Sequence, residues 1–471
     1  MRKRVFGAVM LLAALLLPAC GESQLPPEAE EGVLTYACMN PQDGTIRAYV
    51  NSFNNAHEDV QIEVRDYSGE EGVQRLLVEL AAGWVPDIMD LHYFGRDGQD
   101  LTYDDPVSSV PPADEYWMPY RQLIQKGYLE NLWPYIENDP ELGRDAVLLP
   151  PLEAAEVNGG LYMLFQKVRV NTLMGAEHVV GTRYGWTFEE LMEAFSAMPE
   201  GSTILRYNAT TRDVFFKLLG FSLARYVNWE TGECSFDSEE FRNMLAFLQC
   251  FPAEAATPKD VEEEVIWRIQ TGRQMLEGIQ LSWPNELMYC DSLWGERAAF
   301  VGYPTADGFS GGFFYPRGGV LAMSSACRDK DAAWDFMRQL IRRHYNMSNV
   351  RSPGVSIPVN LEDYEKLIRA ELRRADSVRD DFETSIIAII PWDHFSASVY
   401  PKIYPTAPIS EEDIQRYEAL IYSTTQLYWP DDALADVVWD AIGPYLAGDK
   451  TLDEAVQLLN NRVGLYVNEL R

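Results

Sequence analysis

Between Val33 and Leu91 the chain alternates between two hydrophobic periods, and that alternation fixes the fold class. Val33–Cys38 is a β-rich run. Ile46, Tyr49, Val50 and Phe53 then recur at helical spacing up to Asn54. Val60, Ile62 and Val64 alternate as in a strand. Val73, Leu76, Leu77 and Leu80 form a helical stripe that stops at Gly83, and Ile88, Met89 and Leu91 give a short buried strand. A βαβαβ order of this kind predicts a largely parallel sheet covered by helices. Ligands bind such sheets beyond the carboxyl ends of the strands, so the turns after Cys38 and Leu91 lie on the functional edge.

At 471 residues the chain is too long for one compact core, so two domains or one two-lobed unit are expected. Hydrophobic content of 47% with 12% aromatics is globular. The net charge of −33 argues against nucleic acid and anionic-lipid partners. Cys38, Cys234, Cys250, Cys290 and Cys327 form no C-x-x-C pair. They imply no disulfide framework; buried thiols are expected, with a Cys234–Cys250 bridge the alternative. With five histidines, no H-E-x-x-H and no Cys/His cluster, no metal site is expected. No cofactor is expected either, because no phosphate-cradling loop or G-x-G-x-x-G follows a strand.

The first nineteen residues read as a targeting segment. Arg2, Lys3 and Arg4 precede an apolar run from Val5 to Leu17, which is shorter than the ~20 residues of a spanning helix. Leu17-Pro18-Ala19-Cys20 resembles the bacterial lipobox, which makes Cys20 the lipidated first residue of the mature chain. The expected location is the outer face of the cell membrane, contacting the membrane through the lipid anchor only. Residues 20–32 read as the lipidated cysteine and an acidic, proline-bearing linker. Further on, Thr187 with Glu190 and Thr451 with Glu454 fit capping boxes, and Ser238 precedes the stripe Phe241, Met244, Leu245 and Leu248. Thr203–Arg206 reads as a strand. Trp334 falls on a helical stripe and reads as core. Two helices, Asp432 to Leu446 and Thr451 to Leu470, close the chain.

Several segments, in order, resemble the bacterial extracellular solute-binding proteins of the sugar type that feed ABC importers. They are Phe53–His57 with Val60–Val64, Leu80–Leu91, Asn158–Tyr162, Phe300–Thr305, Gly318–Ser325, Ala333–Phe336, and Gly448–Thr451 with Asn461–Tyr466. The departures are Asn158 in place of the usual Asp and extra residues between Tyr93 and Tyr120. The resemblance implies an α/β, two-lobed, periplasmic-binding-protein-like clamp with hinge crossovers. Its lobes would be 33–164 plus 320–384 and 165–319 plus 385–471. The chain would leave the first lobe near Tyr162 to Gln166, return near Tyr315 to Ala322 and cross again near Ile386 to Pro391.

The implied protein is no enzyme. It would be a monomer that captures a small solute, most naturally a sugar or oligosaccharide, and delivers it to ABC permease subunits. A secreted lipoprotein glycoside hydrolase and a ligand sensor for a membrane receptor are the competing readings. Carboxylate pairs such as Glu153 with Glu156 or Asp104 with Asp105 are better explained as a solvated acidic surface than as glycosidase acids. A sugar offers an apolar C–H face to an aromatic ring and hydroxyls to polar side chains. Candidate ligand residues, placed by position in the clamp, are therefore Asn40, His92, Tyr93, Phe165, Gln166, Tyr207, Trp283, Phe314 and Trp392. Phe313 and Tyr315 flank Phe314 in the same segment. Trp283 follows Ile279–Leu281 and precedes Pro284, which favours an exposed turn; packing inside its lobe is the alternative.

Overall fold

The computed structural model describes residues 30–93, 116–229, 231–255, 261–305, 308–342, 356–378 and 407–470. Its N-terminal layer follows the two periods of the sequence. Strands β1 (Val33–Cys38), β2 (Gln61–Asp66) and β3 (Ile88–Asp90) run parallel, with β1 between the other two. Helices Gly44–Ala56 and Gly69–Ala81 connect them. Asp87 ties this layer together. Its carboxylate accepts from the Thr35 amide (2.8 Å) and hydroxyl (2.9 Å) and forms an ion pair with Arg328 (2.5 Å). Those donors hold its pKa below the usual carboxylate range although burial pushes it up.

After β3 come the two-residue strands β4 (His92–Tyr93) and β5 (Tyr116–Trp117), paired antiparallel. Asn158 and Gly159 then make a tight turn with φ of 51° and 77°, closed by reciprocal Val157–Gly160 backbone bonds. Both central residues are left-handed, and Asn-Gly is the pair that best tolerates this. Two long antiparallel strands follow, β6 (Leu164–Ala176) and, after β7 (Glu277–Leu281) and β8 (Ala298–Phe300), β9 (Phe313–Met323). The thirteen residues of β6 span about 44 Å at ~3.4 Å each, longer than one packing unit needs. At one end β9 pairs with β3; at the other β6 pairs with β7 and β8, and β9 with β11 (Gln426–Leu427). The two lobes are thus built on the two ends of a shared strand pair.

Between those ends the pairing is irregular. A register shift lies between Phe165 and Lys167, opposite Gly318 and Gly319, and Gly318 has φ of 80°. Bulges of this sort bend a strand and increase its twist. Strand β10 (Ile357–Pro358) pairs with β6 at Val168 and Lys167, beside this bend.

Two apolar cores form. The first runs from Leu34, Tyr36 and Ile88 along Val168, Val170 and Phe314, so it is continuous across the bend on one face of β6 and β9. The second lies on the other face at the far end and gathers Leu173, Trp186, Phe236, Phe313, Tyr315 and Leu434. Neighbouring residues on β9 therefore enter different cores, as a period of two requires.

The helix signals hold. Thr187 and Glu190 exchange both capping bonds, Thr451 and Glu454 do likewise, and Ser238 caps Phe241. The closing helices are Asp432–Leu446 and Leu452–Leu470. Trp334 is buried and donates to Asp139 (2.9 Å). Thr203–Arg206 is not a strand: it makes one isolated parallel bridge, Thr203 to Gln274. A Cys234–Cys250 bridge is absent too, since all five cysteines among the described residues are free. The expected third crossing near Ile386 to Pro391 lies outside the described residues.

Candidate ligand-binding site

The carboxyl end of β3 delivers the chain directly into an aromatic group built from the β4–β5 pair, β9 and the segment after β11. His92 stands opposite Trp117 in the β4–β5 pair, and their rings stack at 3.7 Å. Trp117 then meets three rings edge-on: Tyr315 at 5.7 Å, Tyr428 at 5.5 Å and Trp429 at 4.7 Å. Tyr315 comes from β9. Tyr428 follows β11, and its amide donates to the Phe314 carbonyl (2.7 Å), which extends the β9–β11 pairing by one residue.

Polar contacts join the same segments. Trp429 Nε1 donates to the Met118 carbonyl (2.9 Å), and Gln125 Nε2 donates to the Trp229 carbonyl (2.7 Å). Gln125 ends the helix Tyr120–Gln125 that follows β5.

The sheet face that carries Tyr315 also carries a buried polar row. Arg169 pairs with Tyr315, and Asn171 with Phe313, so all four point the same way. Arg169 Nη1 donates to Gln280 Oε1 (2.6 Å) and its Nε to Ser356 Oγ (3.3 Å), while Gln280 Nε2 donates to Asn171 Oδ1 (2.9 Å). Gln280 and Ser356 are among the groups that orient this guanidinium.

Asp90, two residues before His92, fixes the other turn of the functional edge. It accepts from the Tyr36 hydroxyl (2.6 Å) and the Met39 amide (2.7 Å), which pins the start of the Asn40 turn to β3. Burial pushes its pKa up to about 6 despite those donors. Among the described residues no group of His, Cys, Asp or Glu is arranged to hold a metal, and no helix is long and apolar enough to cross a membrane.

Of the residues singled out from the sequence, His92 lies in the aromatic group and Tyr93 in the same β4–β5 pair. Asn40 is half-buried in the turn after β1, and Gln166 is half-buried at the bend. Tyr207 is half-buried, with the Arg268 guanidinium 5.9 Å from its ring centre. Phe165 and Phe314 are corrections. Both have no exposed surface and belong to the first core: Phe314 because it pairs with Val170 on the face opposite Tyr315, and Phe165 because it lies beyond the register shift, opposite Val320. The exposed turn expected at Trp283 is a correction too. The indole is buried, and the backbone there is tied down by Glu286, which accepts from the Trp283 amide (2.9 Å). Trp392 and Cys20 lie outside the described residues. Sequence reasoning missed Trp117, Tyr428 and Trp429. The available signal was Tyr428-Trp429 standing between a short β run and Pro430-Asp431-Asp432, a loop-then-cap pattern that exposes aromatics.

A hinged strand pair flanked by two α/β lobes defines a periplasmic-binding-protein-like clamp, and solved structures share this fold. The chain is similar to the sugar-binding protein MalE from the phytopathogen Xanthomonas citri, at 14% identity and a TM-score of 0.50, covering 93% of this chain and 98% of that one. It is similar as well to a periplasmic oligogalacturonide-binding protein from Yersinia enterocolitica, at 12% identity and a TM-score of 0.50, covering 93% and 99%. No protein-family model matches the sequence, and no curated protein matches it.

Proposed function

We propose that this chain is the extracellular solute-binding component of an ABC importer, that its solute is a sugar or oligosaccharide, and that it performs no chemistry on it. The observation that carries this reading is the aromatic group assembled across the cleft, with His92 and Trp117 from one lobe and Tyr315, Tyr428 and Trp429 from the other. Rings supplied by both sides of a hinge give a pyranose C–H face a contact that improves on closure. Only such differential affinity drives a clamp shut. Both similar structures are named for binding sugars or oligosaccharides, which supports the same class of solute here.

The lobes of this reading are 33–164 plus 320–384 and 165–319 plus 385–471, acting as a monomer that docks its closed form on a permease pair. Lipid on Cys20 would hold it at the outer face of the membrane; a mature N-terminus without lipid at Cys20, seen by mass spectrometry, would remove that part.

A thermal-shift screen over sugars and oligosaccharides tests the binding reading. A true solute at 100 times its dissociation constant adds about 2.7 kcal/mol of stability. Trp117→Ala should weaken that solute by about 1–3 kcal/mol if the contact resembles other aromatic stacking. Steady consumption of the solute, or stabilisation by no sugar at all, would overturn the proposal.

A further inference from the structure

The seam between the two proposed lobes has a carboxylate at its centre. Asp431 caps the helix Asp432–Leu446: its Oδ1 accepts from the Leu434 amide (3.0 Å) and from the Tyr466 hydroxyl (3.3 Å). The helix Tyr120–Gln125 reaches this acid from two directions. On one side the Tyr466 hydroxyl accepts from Gln122 Nε2 (3.5 Å), so donors run from Gln122 through Tyr466 to Asp431. On the other side Trp429, two residues before Asp431, donates to the Met118 carbonyl (2.9 Å) and sets its ring 5.5 Å from that of Tyr120. Arg121, next to Gln122, adds a cation that favours the ionised acid.

A capping carboxylate is ordinarily comfortable with its charge, because amide and hydroxyl donors and the helix N-terminus all favour the ionised form. Asp431 departs from this. Burial outweighs its donors and pushes its pKa above the ordinary 3.8; the neighbouring Asp432 pushes the same way, and Arg121 opposes more weakly. Tyr120 and Tyr466 stay neutral, since burial raises both. Leu434 and Tyr466 belong to the same proposed lobe as Asp431 and stay with it when the clamp opens. Opening takes away the cover given by residues 118–125, with Arg121 on it, and lets water reach the acid. An acid that holds its proton more tightly closed than open takes one up on closing.

We propose that closure of the clamp is proton-linked through Asp431: forming the seam over this residue takes up a proton there, so mild acid favours the closed form and with it the capture of solute. This rests on the clamp reading of the fold and adds a regulation of its cleft.

Small-angle scattering of the solute-free, full-length mature protein between pH 8.0 and 5.0 tests it. Approaching the pI of about 4.5 lowers self-repulsion in every variant alike, so the signal is a difference between proteins. Asp431→Asn keeps an acceptor oxygen for Leu434 and Tyr466 and cannot titrate. The wild type should compact more than this variant as pH falls. Arg121→Gln removes the opposing charge, so its compaction should begin at higher pH than in the wild type. Arg121 is exposed, which keeps this second variant informative if Asp431→Asn fails to fold. Asp90 and His92 are common to all three proteins, so the comparison isolates Asp431. Superposed curves for wild type and Asp431→Asn, or an Arg121→Gln protein that compacts at the same or lower pH than wild type, would overturn the proposal. Superposed curves together with compaction on adding a sugar found by the thermal-shift screen would remove the proton linkage and leave the clamp standing. A radius that answers to neither pH nor sugar would remove both.

Discussion

Asp90 shows how a single residue couples the functional edge to pH. Its pKa stands near 6 in the fold against 3.8 ordinarily, with burial as the leading cause. A carboxyl raised in the folded state contributes stability that is full below pH ~3.8 and is lost as pH rises through ~6. A shift of about two units is worth roughly 3 kcal/mol at most. The groups facing it are Tyr36 and Cys38 on β1 and the Met39 amide, and Tyr36 and Cys38 stay protonated in this range because burial raises both. Asp90→Asn removes the titration and one acceptor. Denaturant unfolding at pH 4 to 7 should show the variant gaining on the wild type as pH rises, and parallel curves would sink the idea. Other residues were harder to read. His92 was legible because it follows a buried strand in a parallel sheet. Trp117 was not, because its position depends on pairing with His92 across a long intervening segment. The consecutive aromatics Phe313, Phe314 and Tyr315 give no parity by themselves; only the pairing with β6 decides which core each enters.

Elements whose signals are local were legible, and those defined by distant partners were not. The βαβαβ unit and the capped helices carry their own periods and caps. Strand β6 carries Gln166, Lys167, Arg169 and Asn171 within it, which breaks any simple pattern, and its partner β9 begins far along the chain. The bend between them gives an element-scale prediction of two signs. Gly318 holds φ of 80°, a region that costs a branched residue about 1–2 kcal/mol. Gly318→Val should destabilise by about that much. Gly464, by contrast, sits within the helix Leu452–Leu470, and a Cβ there would meet nothing within 4 Å. Gly464→Ala should stabilise by about 0.5–1 kcal/mol. Chemical denaturation followed by circular dichroism checks both, and a Gly318→Val protein as stable as wild type would mean the bend tolerates an ordinary backbone.

At the scale of the whole molecule, two hydrogen bonds bear on closure of the proposed clamp. Trp429 Nε1 donates to the Met118 carbonyl and Gln125 Nε2 to the Trp229 carbonyl, so each would join the two proposed lobes. Each such bond is worth about 0.5–1.5 kcal/mol net, enough to tilt an open–closed equilibrium but not to lock it. Trp429→Phe keeps an aromatic ring against Trp117 and deletes the donor. It should enlarge the solute-free particle in small-angle scattering and weaken solute binding by about 2- to 10-fold, since affinity scales with the competent fraction. Saturating solute should still compact the variant to the wild-type radius, because the stacking contacts remain. A variant that is no larger without solute and binds as tightly as wild type would show that closure draws nothing from this bond. The aromatic contacts around Trp117 would then have to hold the lobes together by themselves.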